Sequence, residues 1–306
     1  MRAILACVLL ACAISGICWA ARCTTVAEPS VLREYQDYVA RAENAMLPRF
    51  DSSELSWVAG GSAAKEASAK LASGEWVGRN ISDAALNQRI ANQNGTVIHW
   101  IGAIRIRGAS LANLNTVLED YGHYDRIYQP MMFGCKAERN GDEEAHAVYD
   151  VVLGIHSEYR LASIFPQHFS FRVKGLMGHD PEAFRSQAPS LRVHLKASEI
   201  RESASGVPGS DDFLEPYHDH GIMWALNAYW RARQRADGLY FEFETITLAR
   251  SVEEFACKIG FVGVPKSVIS GVMDSLPADS IKVILEGTKA ECERRVSGLP
   301  VNVSNQ

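Results

Sequence analysis

Two neighbouring stretches of alternating residues, 220–231 and 238–248, constrain the fold of this chain more than any other feature. Side chains in a strand point alternately to the two faces of a sheet, so both stretches predict long strands, joined by a polar turn that ends in Gly238. The residues of one face are apolar or aromatic: Trp224, Leu226, Ala228, Trp230, Leu239, Phe241 and Phe243. The residues of the other face are polar: Asn227, Tyr229, Arg231, Tyr240, Glu242 and Glu244. The apolar face must be covered by a helix, by a second sheet or by a ligand.

The composition limits the kinds of partner. The chain has 306 residues, of which 47% are hydrophobic, which is enough for one large domain or two modest ones. Its formal net charge is −5, so the electrostatic footprint of a nucleic-acid-binding protein is missing. No polybasic run is present to attract an anionic membrane surface. The sequence therefore predicts no nucleic-acid partner.

The N-terminus has the features of a secretory signal peptide. Arg2 supplies a positive charge, residues 3–17 form an apolar run, and small residues that suit cleavage follow it. An uncleaved membrane anchor is the alternative, but the run is short for a span of roughly 20 residues, and no later segment is apolar enough to span. We therefore predict an exported protein, periplasmic or secreted. The expected division is a signal peptide at 1–21, a partly helical N-terminal extension at 22–94, a main domain at 95–298 and a polar tail at 299–306.

The cysteines give no sign of a metal site. Four remain after the leader: Cys23, Cys135, Cys257 and Cys292. They are widely spaced and form no CxxC pair. Export permits disulfides, but this spacing does not indicate one. Isolated cysteines among apolar residues are typically small buried hydrophobic side chains.

The remaining pattern predicts helices at both ends of the chain and antiparallel strands between them. Helices are expected at 29–47, 63–72, 83–91 and 110–121, with Ser30 and Ser110 as caps and Pro48 as the end of the first. Strands are expected at 97–107, 131–137, 145–154, 169–177 and 191–200. The chain then ends in helical segments at 266–276 and 278–296, with Pro277 at a helix start or a kink between them.

This order of elements resembles the START/SRPBCC superfamily, whose members include pollen-allergen proteins, polyketide cyclases and coenzyme Q-binding proteins. The segment 117–128, VLEDYGHYDRIY, is similar to the helix, tyrosine and proline segment that follows the first strand in that group. The paired strands at 220–248 and the last helix at 266–297 fit as well, so the resemblance covers residues 95–297. It implies an α+β helix-grip fold, in which a curved antiparallel sheet wraps around a long C-terminal helix.

The resemblance also implies a deep apolar cavity between the sheet and the last helix. Such sites are concave, mostly apolar and furnished with a few polar groups. The implied ligand-cavity residues are Trp224, Leu226, Trp230, Phe241, Phe243, Ile269, Met273 and Leu285. The implied partner is a hydrophobic small molecule or lipid.

Two clusters of titratable residues offer chemistry, and both have a simpler interpretation. His218 and His220 share a strand face and could bind zinc with Asp211, Asp212 or Asp219, but the segment follows a loop in which exposed His and Asp are ordinary. The other cluster would be an acid/base set, for which a solvated outer face is the simpler interpretation: His146, Asp150 and His194. We predict no metal ion, no cofactor and no catalytic residue.

The polar row of the hairpin has two interpretations as well. Cross-strand pairing would bring Arg231 close to Glu242 or Tyr240 as a surface ion pair of little energetic value. The second interpretation is a polar floor of the cavity. An inward-pointing, buried Glu242 or His220 would favour an enzyme.

The sequence therefore predicts a protein that binds a hydrophobic ligand and is not an enzyme. A cyclase/aromatase-like enzyme acting on a polyketide-like substrate is the second hypothesis, and it requires a titratable side chain inside the cavity. A structural envelope protein with a filled aromatic core is the third. The oligomeric state is not predicted.

Overall fold

A computed structural model describes residues 27–51, 57, 61–140, 147–161, 165–180, 190–216, 219, 221–251 and 266–298. The strands are β1 (Val77–Asn80), β2 (Gly95–Ile106), β3 (Met132–Arg139), β4 (Ala147–Leu161), β5 (Phe165–Asp180), β6 (Ser190–Glu202), β7 (Ala225–Arg235) and β8 (Gly238–Arg250). The helices are α1 (Pro29–Asp51), α2 (Ser62–Ser73), α3 (Ala84–Ala91), α4 (Leu111–Leu118), α5 (Tyr124–Ile127) and α6 (Lys266–Val296).

The eight strands form one curved, open sheet in the order β1-β2-β8-β7-β6-β5-β4-β3, and every neighbouring pair is antiparallel. Strands β3 to β8 follow each other as a meander, and β8 returns to pair with β2 along its whole length. Helices α4, α5 and α6 pack on one face, called here the inner face. The predicted helix-grip fold is confirmed.

The hairpin of β7 and β8 has the predicted alternation. Trp230 pairs with Phe243, and both side chains are buried in the core of the inner face. The strands continue to Arg235 and Gly238, leaving a two-residue turn. Gly238 has a φ of 145°, which glycine adopts without a steric penalty.

Helix α6 approaches the sheet most closely at Gly102 of β2. A Cβ atom at this position would lie 2.4 Å from the Cγ2 atom of Ile281 and 2.9 Å from the Cδ1 atom of Leu285. Gly287 of α6 permits a similar approach, because a Cβ there would lie 2.4 Å from the carbonyl oxygen of Ile127. Glycine suits both positions, because a side chain would overlap the Ile281 and Leu285 side chains at Gly102 and the backbone of Ile127 at Gly287.

Several local predictions hold for the caps of the helices. The Ser110 side chain accepts from the backbone N–H of Asn113, and the Asn113 side chain accepts in return from the backbone N–H of Ser110, which makes a reciprocal capping box. Asp83 caps α3 by accepting from two backbone N–H groups. Ser30 does not cap α1, which begins at Pro29; its hydroxyl donates to Gln93 instead.

The helix boundary predicted at Pro48 is wrong, and of the two alternatives for Pro277 a helix start is excluded. Pro48 lies inside the last turn of α1, which ends only at Asp51. Pro277 lies inside α6, which runs without a break from Lys266 to Val296. A proline removes one backbone hydrogen bond of the helix. Near Pro277, the Ser280 hydroxyl donates to the carbonyl oxygen of Leu276 at 3.0 Å.

The opposite, outer face of the sheet is covered by the N-terminal helices. Helices α1 and α3 bury a second apolar cluster over β2, β7 and β8, and α2 buries a third over β1 and β2. The predicted solvated face is therefore wrong for the β7–β8 hairpin, where Asn227, Tyr229, Arg231 and Glu244 are all buried. Strand β1 was not predicted at all, and it places part of the N-terminal extension within the sheet.

Two cysteines lie within the described residues, and neither is in a disulfide. Cys292 is buried and Cys135 is half-buried, and burial raises the pKa of both thiols to about 12. Both behave as the small hydrophobic side chains that the sequence predicts. Among the described helices, none combines the length and the apolarity that crossing a bilayer requires.

Candidate functional site

An apolar cavity of about 140 Å³ lies between the inner face of the sheet and α6. Strands β4 to β8 form its floor, and the middle of α6 lies on its other side. The alternation of the strands positions the walls, because every second residue of β7 and β8 points to this face. Ala228, Trp230 and Phe243 belong to this set.

The walls are chemically uniform. Four methionines contribute flexible, polarizable side chains that adapt to the shape of a ligand: Met131, Met132, Met177 and Met223. The polar groups on the walls are hydroxyls: Tyr124, Ser157, Thr245, Thr247 and Ser280. No charged side chain stands among the described residues that line the cavity. The site is therefore suited to an apolar molecule, which could also carry one small polar group that hydrogen-bonds to a wall hydroxyl.

Tyr124 is the one ionisable side chain among the described lining residues. Its hydroxyl donates to the carbonyl oxygen of Leu118. Burial raises the pKa of Tyr124 well above its ordinary value, with smaller contributions from nearby tyrosines. A phenol that is committed to a backbone carbonyl and resists ionisation is a poor general base.

Seven of the eight predicted cavity residues fall into three groups. Leu226, Trp230 and Phe243 line the cavity. Phe241 and Leu285 are fully buried in the surrounding core but do not reach it. Ile269 and Met273 lie in the first half of α6, where the side chains are outside the described part of the structure. Contact of any of them with a ligand stays a prediction.

Trp224 lies on the outer side of the sheet, contrary to the alternation. It precedes β7, which begins at Ala225, so the period of two does not extend to it. Its ring packs with the cluster beneath α1, and the guanidinium carbon of Arg250 lies 5.2 Å from the ring centroid. Its neighbours Ile222 and Met223 line the inner cavity instead.

Most of the described cavity wall comes from residues that the sequence does not identify as cavity residues. Phe169, Phe171 and Met177 of β5 lie on the lining, two or more residues apart in one strand. Their apolar alternation is visible in the sequence and could have indicated them. Tyr124 lies in the one-turn helix α5, which is too short to show a period, and Met131 directly precedes β3.

The polar row of the hairpin forms a buried charge cluster on the outer face, made of Arg49, His99, Arg231 and Glu244. Glu244 is 0% exposed. One carboxylate oxygen accepts from the guanidinium groups of both Arg231 and Arg49, and the other lies 2.6 Å from the Nε2 atom of His99. Because an ionised carboxylate can only accept, Nε2 of His99 carries the hydrogen. The hydroxyl of Tyr38 lies 2.6 Å from the Nδ1 atom of the same ring.

The charges of this cluster compensate each other. Burial acts to raise the pKa of Glu244, but Arg231, the hydrogen bond from His99 and Arg49 together hold it well below its ordinary value. Glu244 is therefore an anion between two cations, which is how a buried charge becomes tolerable. Burial also raises the pKa of Tyr38, to about 12. The cluster joins α1, β2, β7 and β8 and lies across the sheet from the inner cavity, so neither the surface ion pair nor the polar cavity floor predicted for this row is correct.

Glu242 belongs to the same row and does not point into the cavity. It pairs across the hairpin with Arg231, as predicted, at 3.7 Å between Oε2 and Nε. Its other oxygen accepts from the indole N–H of Trp57 at 3.0 Å. The feature that would have favoured an enzyme is absent at this residue.

The predicted histidine clusters are not assembled within the described residues. His146, His218 and His220 lie outside them. Asp150 is exposed on β4, whereas His194 of β6 stacks on Tyr229 with ring centroids 4.6 Å apart. Asp219 accepts from the backbone N–H of Gly221, and Asp211 pairs with Arg172. In the described ranges, no three His, Cys, Asp or Glu side chains come together as a metal site.

Neither a family profile nor a curated protein sequence matches this chain. Among solved structures, the chain is similar to the Zhui aromatase/cyclase from Streptomyces sp. R1128, with 14% identity, a TM-score of 0.41 and coverage of 67% of this chain and 100% of that one. It is similar to a START superfamily protein from Mycobacterium smegmatis, with 10% identity, a TM-score of 0.35 and coverage of 66% and 97%. A STAR-related lipid transfer protein from Xanthomonas axonopodis has 11% identity, a TM-score of 0.32 and coverage of 65% and 97%. At these values the likeness bears on no residue's role, ligand or activity.

Proposed function

We propose that this protein binds a small apolar molecule in the inner cavity. The observation that carries the proposal is an apolar space of about 140 Å³ whose described walls hold no charged side chain. Native cores are close-packed, and voids larger than a water molecule are few. An apolar void of this size excludes water and accepts an apolar guest.

The volume sets the size of the guest. An engineered cavity of roughly 150 Å³ in another protein holds a benzene ring, so about six carbon atoms fit here. Sites for drug-sized ligands measure roughly 300–1,000 Å³, which is larger than this cavity. We therefore infer a single ring or a short chain as the guest, and a longer lipid chain would require the methionine walls to move.

Binding is favoured over catalysis by the position of the titratable groups. A cyclase-like enzyme needs a side chain that exchanges protons with its substrate. On the described walls only Tyr124 qualifies, and its hydroxyl is held by the Leu118 carbonyl. The remaining alternative is a packed core that binds no ligand. The two possibilities differ in whether a small apolar molecule can enter the inner cavity.

Two alanines of β7 provide a matched test. Ala228 lines the cavity, whereas Ala232 is buried on the same face four residues away and does not line it. We expect Ala228→Leu to abolish toluene binding in calorimetry and to keep or raise the free energy of unfolding, since filling a cavity commonly gives about 0.5–2 kcal/mol. We expect Ala232→Leu to lower that free energy by about 1–3 kcal/mol, because it overpacks a filled site.

The same pair identifies the outcome that contradicts the proposal. If toluene binds neither to the wild type nor to Ala228→Leu, and both leucine variants are destabilised equally, the space is a filled core. Binding of toluene to the wild type that survives in Ala228→Leu would place the guest elsewhere.

We propose further that the protein is exported. Support comes from the leader at 1–21, with its positive start, apolar run and small residues before the cleavage point. Expression of the full chain in a bacterial host should yield a mature protein whose N-terminus, read by Edman degradation or mass spectrometry, lies close to residue 22. A protein retained in the cytoplasm with Met1 and Arg2 in place would contradict this.

A further inference from the structure

A second, larger space lies on the outer face, between α1 and the strands β6 and β7. This outer groove measures about 1150 Å³ and is roofed by Leu32, Tyr35 and Val39 of α1. Its lining is about equally polar and apolar, unlike that of the inner cavity. A groove of this character suits the polar end of a molecule better than its apolar end.

The two strands under the groove separate from each other. Strands β6 and β7 pair from Ser190 and Arg233 as far as Lys196 and Asn227. Beyond this point β6 continues to Glu202 along β5, while β7 continues to Ala225 along β8. The sheet is therefore open between residues 197–200 of β6 and residues 223–226 before and within β7.

A β-bulge explains the separation. In the pairing of β5 with β6, Lys174 faces Glu199 while the next residue, Gly175, faces Ala197, so Ser198 is the extra residue. A bulge bends its strand and increases the local twist. The last residue of β6 that pairs with β7 is Lys196, and the bulge at Ser198 lies two residues beyond it. Gly175 allows it, because a Cβ there would lie 2.5 Å from the carbonyl oxygen of Lys196.

Two residues at the opening border both spaces. Met223 and Leu226 line both the inner cavity and the outer groove. Met223 is half-buried and precedes β7, so no ladder hydrogen bond of β6 holds it. Since methionine side chains change rotamer readily, Met223 has the properties of a gate.

We propose that the gap between β6 and β7 is the entrance to the inner cavity, and that the ligand is an amphiphile whose polar end stays in the outer groove. The proposal rests on the proposed function, because the apolar end must be accepted by the inner cavity. It assigns to the ligand an apolar part of about six carbon atoms and a polar end that accepts a hydrogen bond.

The outer groove offers a hydrogen-bond donor for the polar end of the ligand, the indole N–H of Trp224. Trp224 lines the outer groove, is 6% exposed, and its indole N–H has no hydrogen-bond partner in the described part of the chain. A buried donor without a partner costs free energy, which an acceptor on the ligand would recover. Asn227 and His194 stand on the same lining and already bond to each other at 3.3 Å.

The test compares toluene, which needs only the inner cavity, with hexyl glucoside below its micelle concentration, whose sugar is too large for that cavity. We expect hexyl glucoside to displace toluene competitively in calorimetry. Trp224→Phe keeps an aromatic side chain, although a smaller one, and removes the N–H. We expect it to weaken hexyl glucoside binding about fivefold and to leave toluene binding unchanged.

The gate is tested by kinetics with a matched pair of methionines. Met223 lines both spaces, whereas Met177 lines only the inner cavity. We expect Met223→Ala to accelerate both association and dissociation of hexyl glucoside in stopped-flow measurements, with little change in Kd. Met177→Ala should change Kd without accelerating association.

Each outcome bears on a different proposal. If toluene binds but hexyl glucoside does not displace it, the entrance and the amphiphile are wrong while the binding function stands. If displacement occurs but Met223→Ala leaves both rates unchanged, the ligand enters elsewhere and the gate is wrong. If toluene does not bind to the folded wild type, the binding function fails and the entrance fails with it.

Discussion

Glu244 shows how one residue can determine the position of a whole helix. Its carboxylate is fully buried and is bonded from α1 by Arg49, from β2 by His99 and from β7 by Arg231. A buried ion pair adds little stability compared with apolar packing, but the loss of one partner leaves the others buried and uncompensated. The cluster therefore contributes mainly to the specificity with which α1 docks.

Replacing the carboxylate should be costly. We expect Glu244→Gln to lower the free energy of unfolding at pH 7 by about 3–5 kcal/mol, because Arg49 and Arg231 lose their common anion. Urea denaturation measures the change. The matched control is Glu66→Gln on the exposed face of α2, where Glu66 pairs with Lys70 in solvent and no measurable change is expected. Equal effects of the two substitutions would contradict the role of the cluster.

One contact beside this cluster is predictable at the residue scale, since cross-strand pairing brings Arg231 close to Glu242. The sequence could not predict burial. Arg49 and His99 lie 195 and 145 residues from Glu244, and no local period relates residues so far apart. Charged side chains are mostly exposed, so a solvated row was the reasonable expectation.

At the scale of elements, the packing of α6 against β2 holds the C-terminal helix on the inner face of the sheet. The helix lies so close to Gly102 that a side chain at this position would overlap Ile281 and Leu285. Both of these residues are fully buried. The contact thus fixes the height of α6 above the sheet, and with it the depth of the inner cavity.

A methyl group at Gly102 should push α6 away from the sheet or force Ile281 and Leu285 into strained positions. We expect Gly102→Ala to lower the free energy of unfolding by about 1–3 kcal/mol, as overpacking usually does. Gly134 of β3 is the control, because a Cβ there meets nothing within 4 Å. Gly134→Ala should be neutral or slightly stabilising, since alanine restricts the unfolded chain. Chemical denaturation measures the free energy of unfolding of both variants. An unchanged free energy for Gly102→Ala would contradict the close approach of α6 to β2.

Elements with strong periodicity were predictable, and elements without it were not. The β7–β8 hairpin and α4 follow from alternation and from the capping signal at Ser110. Strand β1 has four residues, Val77–Asn80, which is too short to show a period. Trp224 was misplaced because the alternation was extended one residue beyond the strand.

At the scale of the whole molecule, the sheet has two covered faces over β2, β7 and β8. The inner face is covered by α6 and the outer face by α1 and α3. The helix-grip fold followed from the order of the elements, whereas the covered outer face did not, because the docking of a helix depends on side chains that the sequence separates widely. The volume of the inner cavity could not be predicted for a similar reason. It is the small difference between the space that the elements enclose and the volume that their side chains fill.

The stability of the whole molecule should fall in two stages on acidification. Burial lowers the pKa of His179, so its contribution is complete above the unfolded value of 6.5 and is lost as the pH falls below it. The pKa of Glu291 is lowered to about 2 by hydrogen bonds from Arg294 and Arg295, against a smaller opposing effect of burial, and that of Glu244 is lowered as well. Their contributions are complete above the unfolded value of 4.5 and are lost as the pH falls toward the folded values.

Urea denaturation from pH 8 to pH 3 should therefore show a shallow decline below about pH 6.5 and a steeper one below about pH 4.5. His179→Gln should reduce the first stage, to which His194 also contributes because burial lowers its pKa too, and Glu244→Gln should reduce the second. A free energy of unfolding that rises on acidification between pH 5 and pH 3 would contradict both assignments.

The separation of Arg49 from Glu244 has a consequence for biogenesis. Arg49 is synthesised 195 residues before its partner, which at roughly 5–20 residues per second is an interval of about 10–40 s. Throughout that interval the apolar stripe of α1, with Tyr35 and Val39, has no sheet to cover. A nascent chain of this kind has a reason to be held by a chaperone until the last hairpin has emerged from the ribosome.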